Sequence, residues 1–177
     1  MQDMSHGGSL IALRRVPAAL WALAWASLAP RLPRRVEGDG VLASVLARLR
    51  PQLEAAGAEV YGGSLPAVRA DPRQLERVFR ALIGNAARHR GAEAPIIHVS
   101  ARPAGREWLF SVRDNGSGID PGDHHAVFSA FRGARELPAC RRIVRRHGGR
   151  LWVESARGQG ATFYFSLPAT RRLWHLF

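Results

Sequence analysis

The sequence predicts an α/β two-layer sandwich, in which helices cover one face of a mixed, mainly antiparallel sheet and a separate helix precedes the domain. Three observations support this fold class. Two segments before residue 91 repeat apolar residues at helical spacing. The second half of the chain contains two pairs of strand-like segments, each pair joined by a turn with glycine. A further helical pattern separates these pairs, which gives the order helix, two strands, loop, helix, two strands.

The composition is that of a globular protein. The chain has 177 residues, 46% of them hydrophobic and 23% charged, which excludes intrinsic disorder and a fibrous protein. The formal net charge is +12, and all 26 basic residues are arginine. The arginines are spread over the whole length, so nucleic acid and membranes are not expected as partners. An arginine-rich protein that binds nucleic acid or a membrane surface is one functional hypothesis. A genome-wide codon bias explains the arginines equally well.

Cysteine and histidine residues predict neither a disulfide nor a metal centre. Cys140 is the single cysteine, which favours a reducing compartment, and we expect a cytoplasmic protein with this thiol buried. His124 and His125 are adjacent in a predicted exposed loop and lack a third ligand, so zinc is not expected. His147 is predicted to be structural, as a favourable cation near the C-terminus of a helix.

Residues 1–36 are predicted to form an N-terminal helical segment outside the main domain. The apolar stretch from Val16 to Pro30 is shorter than the roughly 20 residues that a membrane span needs. Trp21 and Trp25 are one helical turn apart, which favours a helix that packs against a second copy in a homodimer. A secretory signal or an interfacial membrane anchor is the alternative that this stretch leaves open.

The main domain is predicted over residues 37–168, with a tail at residues 169–177. It follows a connector rich in proline and arginine, "PRLPRRVEGDG". Its first helix runs from about Val41 to Ala56 and stops at Gly57, because glycine commonly ends helices. A short strand, "AEVYGG", and an extended segment, "SLPAVRADP", come next.

The second helix is predicted from Pro72 to about Arg90. Asp71 can cap its free amides, and proline tolerates the first helical position. Apolar residues recur on one face of this helix, which therefore faces the core. Asn85 lies on that side near the end of the helix, where a polar amide is unexpected in a purely structural helix.

The remaining elements are two hairpins and a helix. "PIIHVSARP" and "REWLFSVRDNG" are predicted to pair through the turn "PAG". A helix from about Glu136 to His147 follows, and then the strands "RLWVES" and "ATFYFSL", joined by the turn "ARGQG". In the last strand Phe163 and Phe165 point to the same face and are predicted to be core residues.

The segment "VRDNGSGID" suggests a nucleotide pocket at the end of a strand. The carboxylate of Asp114 can accept a hydrogen bond from an exocyclic amine such as that of adenine. Gly116 and Gly118 let the backbone turn tightly and approach a planar ring. Asn85 on the neighbouring helix could coordinate a phosphate-bound magnesium ion through its side-chain oxygen. Alone, "DNGSG" is also a good turn that needs no ligand.

The order of these motifs resembles the ATP-binding domain of sensor histidine kinases, the Bergerat fold of the GHKL superfamily. "ADPRQLERVFRALIGNAARHR" resembles the N box, "VRDNGSGID" the first glycine box, and "VFSAFRG" the F box. The stretch from Cys140 to Pro168 resembles the closing helix and strands of phytochrome-type kinases. The resemblance implies that ATP and Mg²⁺ are cofactors, with Asn85 at the metal position. The nucleotide-binding residues that it implies are Asn85, Arg88, His89, Asp114, Gly116 and Gly118.

The sequence departs from this family at the ATP lid. The family has a long lid and a second glycine-rich box before the closing helix, whereas here "GARELPA" joins Arg132 to Cys140. Arg132 is expected to replace part of the lost amide donors by its charge, and it completes the predicted cofactor-binding set. The first asparagine of the N box is also replaced, by Ala81.

Two functional hypotheses follow from the resemblance. In the first, the chain is the ATP-binding domain of a two-component sensor histidine kinase, with a response regulator or phosphoacceptor protein as its partner. In the second, the lost lid makes it a degenerate histidine-kinase-like adaptor or phosphotransfer protein that does not bind ATP. The sequence contains no phosphoacceptor-histidine motif, so the acceptor is expected elsewhere and no residue of this chain is predicted to be catalytic.

Overall fold

The computed structural model describes residues 33–129 and 136–169 of the chain. The predicted N-terminal helix, with Trp21 and Trp25, and the residue Arg132 lie outside these ranges. The helices are α1 (Gly38–Ala56), α2 (Pro72–Arg88) and α3 (Glu136–Arg146). The strands are β1 (Arg34–Glu37), β2 (Glu59–Gly62), β3 (Ala67–Ala70), β4 (Ile96–Ala104), β5 (Glu107–Asp114), β6 (Leu151–Ser155) and β7 (Ala161–Pro168).

The main sheet has five strands in the order β2-β4-β5-β7-β6. β2 is parallel to β4 and the other neighbours are antiparallel, so the sheet is mixed and mainly antiparallel, as predicted. The two predicted hairpins are β4–β5 and β6–β7. Pairing of β5 with β7 sets Arg113 opposite Thr162. The end of β5 and the start of β7 therefore lie side by side, and this pairing positions the site described below.

The core lies between the helices and one face of this sheet. Phe110 on β5 and Phe165 on β7 stack with their ring centroids 4.7 Å apart. Phe79 of α2 meets these two rings edge-on, at 6.0 and 5.4 Å. Phe163 is 1% exposed and Phe165 is 0% exposed, so both are core residues, as predicted. Full burial of a side chain of this size stabilises a fold by roughly 1.5–3 kcal/mol.

The start of α2 is capped as predicted and is also tied to α3. Asp71 is buried, and its Oδ1 accepts hydrogen bonds from the N–H groups of Arg73 at 2.9 Å and Gln74 at 3.4 Å. The N–H of Asp71 donates to Nε2 of His147 at 3.0 Å, while Nδ1 of that ring donates to the carbonyl oxygen of Ile143 at 2.9 Å. The ring of His147 therefore joins α3 to α2, in agreement with its predicted structural role.

A strand occupies part of the segment that the sequence predicted to be a connector. β1 pairs antiparallel with β3, so that Val36 lies opposite Val68 and both are buried. α1 begins directly after this strand at Gly38, earlier than the predicted Val41, and ends before Gly57 as predicted. The sequence signal for β1 is weak because its other residues are charged and exposed.

The described helices each bury one face. Among residues 33–129 and 136–169, none combines the length and apolar composition that crossing a bilayer requires. On α3 the buried face includes Cys140, which is fully enclosed, as predicted. Burial raises the pKa of its thiol to about 11, so Cys140 acts as a small apolar core residue at neutral pH.

Candidate functional site

A cleft of about 550 Å³ opens where the end of β5 meets the end of α2. The loop after β5, the first turn of α3 and the turn between β6 and β7 complete its walls. Its volume is within the usual range of small-molecule and cofactor sites. The cleft is lined by Asn85, His89, Asp114, Ser117, Gly118, Ile119, Asp120, Asp123, Ala126, Val127, Ser129, Leu137, Arg157, Ala161 and Phe163.

Asp114 is the buried carboxylate of the cleft, with 7% of its surface exposed. Its Oδ1 accepts hydrogen bonds from the backbone N–H groups of Gly116 at 2.9 Å and Ala161 at 3.1 Å. Burial raises the pKa of Asp114, and the two N–H groups and the nearby His89 partly oppose that shift. No described residue donates to Oδ2, so this oxygen is left to accept a hydrogen bond from a bound molecule.

The two glycines predicted for the site hold the loop after β5 against its neighbours. A Cβ atom on Gly116 would lie 2.2 Å from the carbonyl oxygen of His89, so a larger residue does not fit. Gly118 has a φ of +70°, and a Cβ atom there would lie 2.0 Å from the carbonyl oxygen of Ala156. Gly118 lines the cleft, whereas Gly116 supports it by donating to Asp114.

The turn between β6 and β7 also builds the site, which the sequence analysis did not predict. Gly160 has a φ of +74° and passes so close to β5 that a Cβ atom would lie 2.0 Å from the carbonyl oxygen of Asp114. Ser155 Oγ accepts a hydrogen bond from the N–H of Ile119 at 2.8 Å and donates one to the carbonyl oxygen of Gly160 at 2.7 Å. Ser155 therefore ties the loop after β5 to the turn. The letters "ARGQG" indicated a turn, but nothing in them indicated which loop it contacts.

Asn85 and His89 reach the cleft from the end of α2. Asn85 is half-buried, and within residues 33–129 and 136–169 its side-chain amide has no hydrogen-bond partner. Its oxygen is therefore available to a cation or a polar ligand, as the sequence predicts. His89 is exposed and lines the cleft, and its carbonyl oxygen accepts a hydrogen bond from the N–H of Ser117 at 3.1 Å. This bond holds the loop after β5 against α2.

Arg88, which was predicted to bind the cofactor, is not among the described residues that line the cleft. Nη2 of Arg88 lies 3.2 Å from Oε2 of Glu136, in an exposed ion pair that links the end of α2 to the start of α3. Arg132 lies outside the residues that the structure describes. Arg157, which the sequence analysis did not single out, lines the cleft from the turn between β6 and β7. No local pattern marks it, because its position depends on the contact between that turn and the loop after β5.

The loop after β5 is held by polar contacts of its own. Oδ1 of Asp120 accepts a hydrogen bond from the N–H of Gly122 at 3.1 Å, which closes a turn. His124 is half-buried, and its Nε2 lies 3.1 Å from the carbonyl oxygen of Ser155, so the prediction of an exposed side chain is wrong. In the described part of the chain, no group of three or more histidine, cysteine or acidic side chains could hold a metal ion.

The residues of the cleft fit an adenine nucleotide. Asp114 offers an acceptor to an exocyclic amine, and Asn85 offers an oxygen to a magnesium ion. Magnesium keeps water and phosphate ligands and needs few protein ligands, so a single amide oxygen suits it. The first turn of α3 contributes the apolar side chain of Leu137. The apolar side chains that suit a planar base are Ile119, Val127, Leu137 and Phe163.

Comparisons with known sequences assign residues 70–171 to the family described as "Histidine kinase-, DNA gyrase B-, and HSP90-like ATPase". Over 146 residues the chain is 41% identical to "Cyanobacterial phytochrome A" of Nostoc sp. (strain PCC 7120), a match that covers 77% of this chain and 19% of that protein. Over 115 residues it is 40% identical to "Alginate biosynthesis sensor protein KinB" of Pseudomonas aeruginosa, covering 60% of this chain and 19% of that one. The chain thus spans about a fifth of the length of these curated relatives.

Solved structures share the two-layer fold. The catalytic domain of histidine kinase ThkA matches with a TM-score of 0.68 and 23% identity, over 77% of this chain and 96% of that one. Full-length ShkA in complex with AMPPNP matches with a TM-score of 0.71 and 26% identity, over 85% of this chain and 36% of that one. These neighbours confirm the predicted fold class.

Proposed function

Because the chain belongs to the family of histidine kinase-, DNA gyrase B- and HSP90-like ATPases, we propose that it is the ATP-binding catalytic domain of a two-component sensor histidine kinase. One observation carries this proposal. Asp114 is a buried carboxylate whose Oδ1 accepts from two backbone N–H groups, while Oδ2 is left to the cleft. Oδ2 can accept one further hydrogen bond, and the exocyclic amine of adenine is a donor that could supply it.

The walls of the cleft support the same proposal. Phe163 and Val127 line the same cleft as Asp114 with apolar surface, which favours a planar base. The hydrogen bonds of Ser155 hold the loop after β5 at a constant distance from β7. The base is therefore expected to enter a cleft whose polar acceptor and apolar walls are already in position.

The phosphate groups of the nucleotide are assigned to the part of the cleft beside the C-terminal end of α2. ATP, when bound, would supply the phosphoryl group that is transferred. Asn85 would hold Mg²⁺ through its side-chain oxygen. His89 and Arg157 line the same cleft and would interact with phosphate oxygens through their ring nitrogen and guanidinium groups. We assign the same role to Arg132 on the basis of its position in the sequence, whereas the ion pair of Arg88 with Glu136 argues for a structural role of that residue.

The proposal extends to the partners of the domain. A histidine on another domain or chain would accept the phosphoryl group and pass it to a response regulator. The predicted N-terminal helix would form a homodimer through Trp21 and Trp25, in the cytoplasm. One of the relatives named above is a sensor protein of which this chain matches about a fifth, which supports a role as one domain of such a system.

Calorimetric titration with a non-hydrolysable ATP analogue tests the proposal. We expect saturable binding to the native chain that is tighter with Mg²⁺ than without it. In Asn85→Ala the nucleotide should still bind, but Mg²⁺ should no longer improve its affinity, because the amide oxygen that holds the metal is gone. Gln159→Ala is the matched control, since Gln159 is an exposed amide that does not line the cleft.

Two results would contradict the proposal. A folded native chain that binds no nucleotide would be a kinase-like adaptor, and its function would then depend on protein partners alone. An effect of Mg²⁺ that is the same in Asn85→Ala as in the native chain would remove Asn85 from the metal site.

A further inference from the structure

A basic groove lies beside β6, at one edge of the five-stranded sheet. Its volume is about 470 Å³. It shares no lining residue with the cleft described above. The residues that line this groove are Arg141, Arg145, Gly149, Arg150, Leu151 and Trp152.

Three arginines line this groove, two from α3 and one from the residue before β6. Arg141 and Arg145 are one turn apart on α3 and therefore lie on the same side of the helix. Arg150 precedes β6, and its guanidinium carbon lies 5.8 Å from the ring centroid of Trp152. All three arginines are exposed, and within residues 33–129 and 136–169 none forms an ion pair with a carboxylate.

The acidic residues of the same elements are already engaged. Glu136 pairs with Arg88, and Glu154 accepts a hydrogen bond from Nε1 of Trp152 at 3.2 Å. The dipole of α3 favours cations in its last turn, which accounts for Arg145. Arg141 and Arg150 each lie over an aromatic ring, and the guanidinium carbon of Arg141 is 5.6 Å from the ring centroid of Phe128. Neither has a carboxylate partner among the described residues, so the groove keeps a positive charge.

The strand beside the groove has an open edge. β6 pairs with β7 on one side, and in the described part of the chain no strand pairs with it on the other. At one end of this edge His124 contacts the carbonyl oxygen of Ser155. Leu151 and Trp152 belong both to β6 and to the groove. An exposed strand edge can accept an extended peptide as an additional strand.

We propose that β6 and the basic groove together bind an extended acidic segment of a partner protein. The backbone of that segment pairs with the open edge of β6, and its carboxylates contact Arg141, Arg145 and Arg150. Guanidinium groups bind carboxylates through two parallel hydrogen bonds, which makes arginine well suited to this role. The proposal goes beyond nucleotide binding and does not depend on it.

The chemistry of the groove favours a peptide over single-stranded nucleic acid. A phosphodiester backbone cannot form the ladder of N–H and carbonyl hydrogen bonds that a strand edge offers. Base stacking would need a free aromatic face, but the Trp152 ring is stacked on Tyr164 at 5.3 Å and also contacts the guanidinium of Arg150.

Fluorescence anisotropy with a labelled peptide of alternating glutamate and valine, blocked at both ends, tests this proposal on the full chain. We expect saturable binding that weakens at least about tenfold in the double variant Arg141→Glu, Arg145→Glu, since close charge pairs are lost and replaced by repulsion. The control Arg102→Glu, Arg106→Glu makes the same change in net charge at exposed residues of β4 and the adjoining turn, and it should leave the affinity unchanged. Thermal unfolding verifies that both variants are folded, and Arg141→Gln, Arg145→Gln serves if the charge reversal prevents folding.

A second peptide distinguishes strand pairing from charge alone. It has the same sequence and charge but carries N-methyl groups at alternate residues, which remove the donors of a strand, and we expect it to lose binding. The proposal is overturned if the unmodified peptide does not bind, if the two arginine double variants weaken it equally, or if N-methylation has no effect. It is also overturned if a single-stranded oligonucleotide binds the native chain more tightly than the peptide and responds to the same variant, because the occupant would then be nucleic acid.

Discussion

Replacement of Asp114 by asparagine separates nucleotide binding from folding. Asparagine has nearly the same shape, and its side-chain oxygen can still accept from the N–H groups of Gly116 and Ala161. The other terminal atom changes from an acceptor, Oδ2, to an NH₂ donor. The donor would then face the exocyclic amine of adenine, which is also a donor, so the variant should fold but should not hold the base.

The expected loss of affinity follows from the hydrogen bond that is removed. A hydrogen bond to a charged group contributes about 1.5–3 kcal/mol, and each 1.4 kcal/mol is a factor of ten in affinity. We therefore expect the dissociation constant of an ATP analogue to rise about 10- to 100-fold in Asp114→Asn.

The free energy of unfolding of Asp114→Asn should not fall with the affinity and should be equal to or higher than that of the native chain at pH 7. Burial raises the pKa of Asp114 above its ordinary value, so the folded state disfavours the charged form. This unfavourable contribution is present above the folded-state pKa and disappears as the pH falls below the ordinary pKa of the carboxyl group. Asparagine carries no charge, so the variant should be at least as stable as the native chain at pH 7, and any advantage should vanish in acid.

Calorimetric titration and urea unfolding at several pH values measure both quantities. Asp123→Asn is the matched control, because Asp123 is an exposed carboxylate that lines the same cleft, and this variant should keep the affinity for nucleotide. Unchanged affinity in a folded Asp114→Asn sample would refute the adenine assignment. Equal weakening in both variants would mean that general electrostatics, and not one hydrogen bond, controls binding.

Three further predictions concern the turn, the cap and the dimer. Gly160→Ala should lower the free energy of unfolding by roughly 1–3 kcal/mol and weaken nucleotide binding, because a Cβ atom there would lie 2.0 Å from a backbone oxygen. Gly158→Ala is the control, since Gly158 also has a positive φ but has open space around it. In urea unfolding the control should lose less stability, and it should still bind nucleotide. Asp71→Ala should lower the unfolding free energy by about 0.5–2 kcal/mol through loss of the cap of α2, and an unchanged urea midpoint would contradict this. If the proposed homodimer forms through the N-terminal segment, the double variant Trp21→Glu, Trp25→Glu should sediment as a monomer. A mass equal to that of the native chain would contradict this assignment.

Much of the fold could be predicted because its signals are local. The apolar face of α2, the cap at Asp71 and the alternation that buries Phe163 and Phe165 each follow from periodicities within one segment. β1 could not be predicted in this way. One buried valine in four residues is too weak a pattern, and the strand exists because β3 lies beside it.

The site residues that lie close together in the sequence could also be predicted. Asp114, Gly116 and Gly118 act within one loop, so their spacing carries the information, and Asn85 stood out as a polar residue near the end of an otherwise apolar face. Within the described residues, these four and His89 do lie at one end of the sheet. The prediction of ATP as the ligand did not come from any single residue. It came from the resemblance of several motifs, in one order, to those of a known family.

The order of elements, the apolar faces and the loop that carries Asp114 follow from residues that lie close together in the chain. The contacts between distant groups depend on the folded chain: Ala161 donates to Asp114 across 47 positions, Ser155 joins two loops, Arg88 pairs with Glu136, and His147 accepts from Asp71. The two kinds of information differ because the interactions behind them act over different distances along the chain. Helix and strand periods act over a few residues, whereas these hydrogen bonds and ion pairs exist because β5 pairs with β7 and α3 packs on α2.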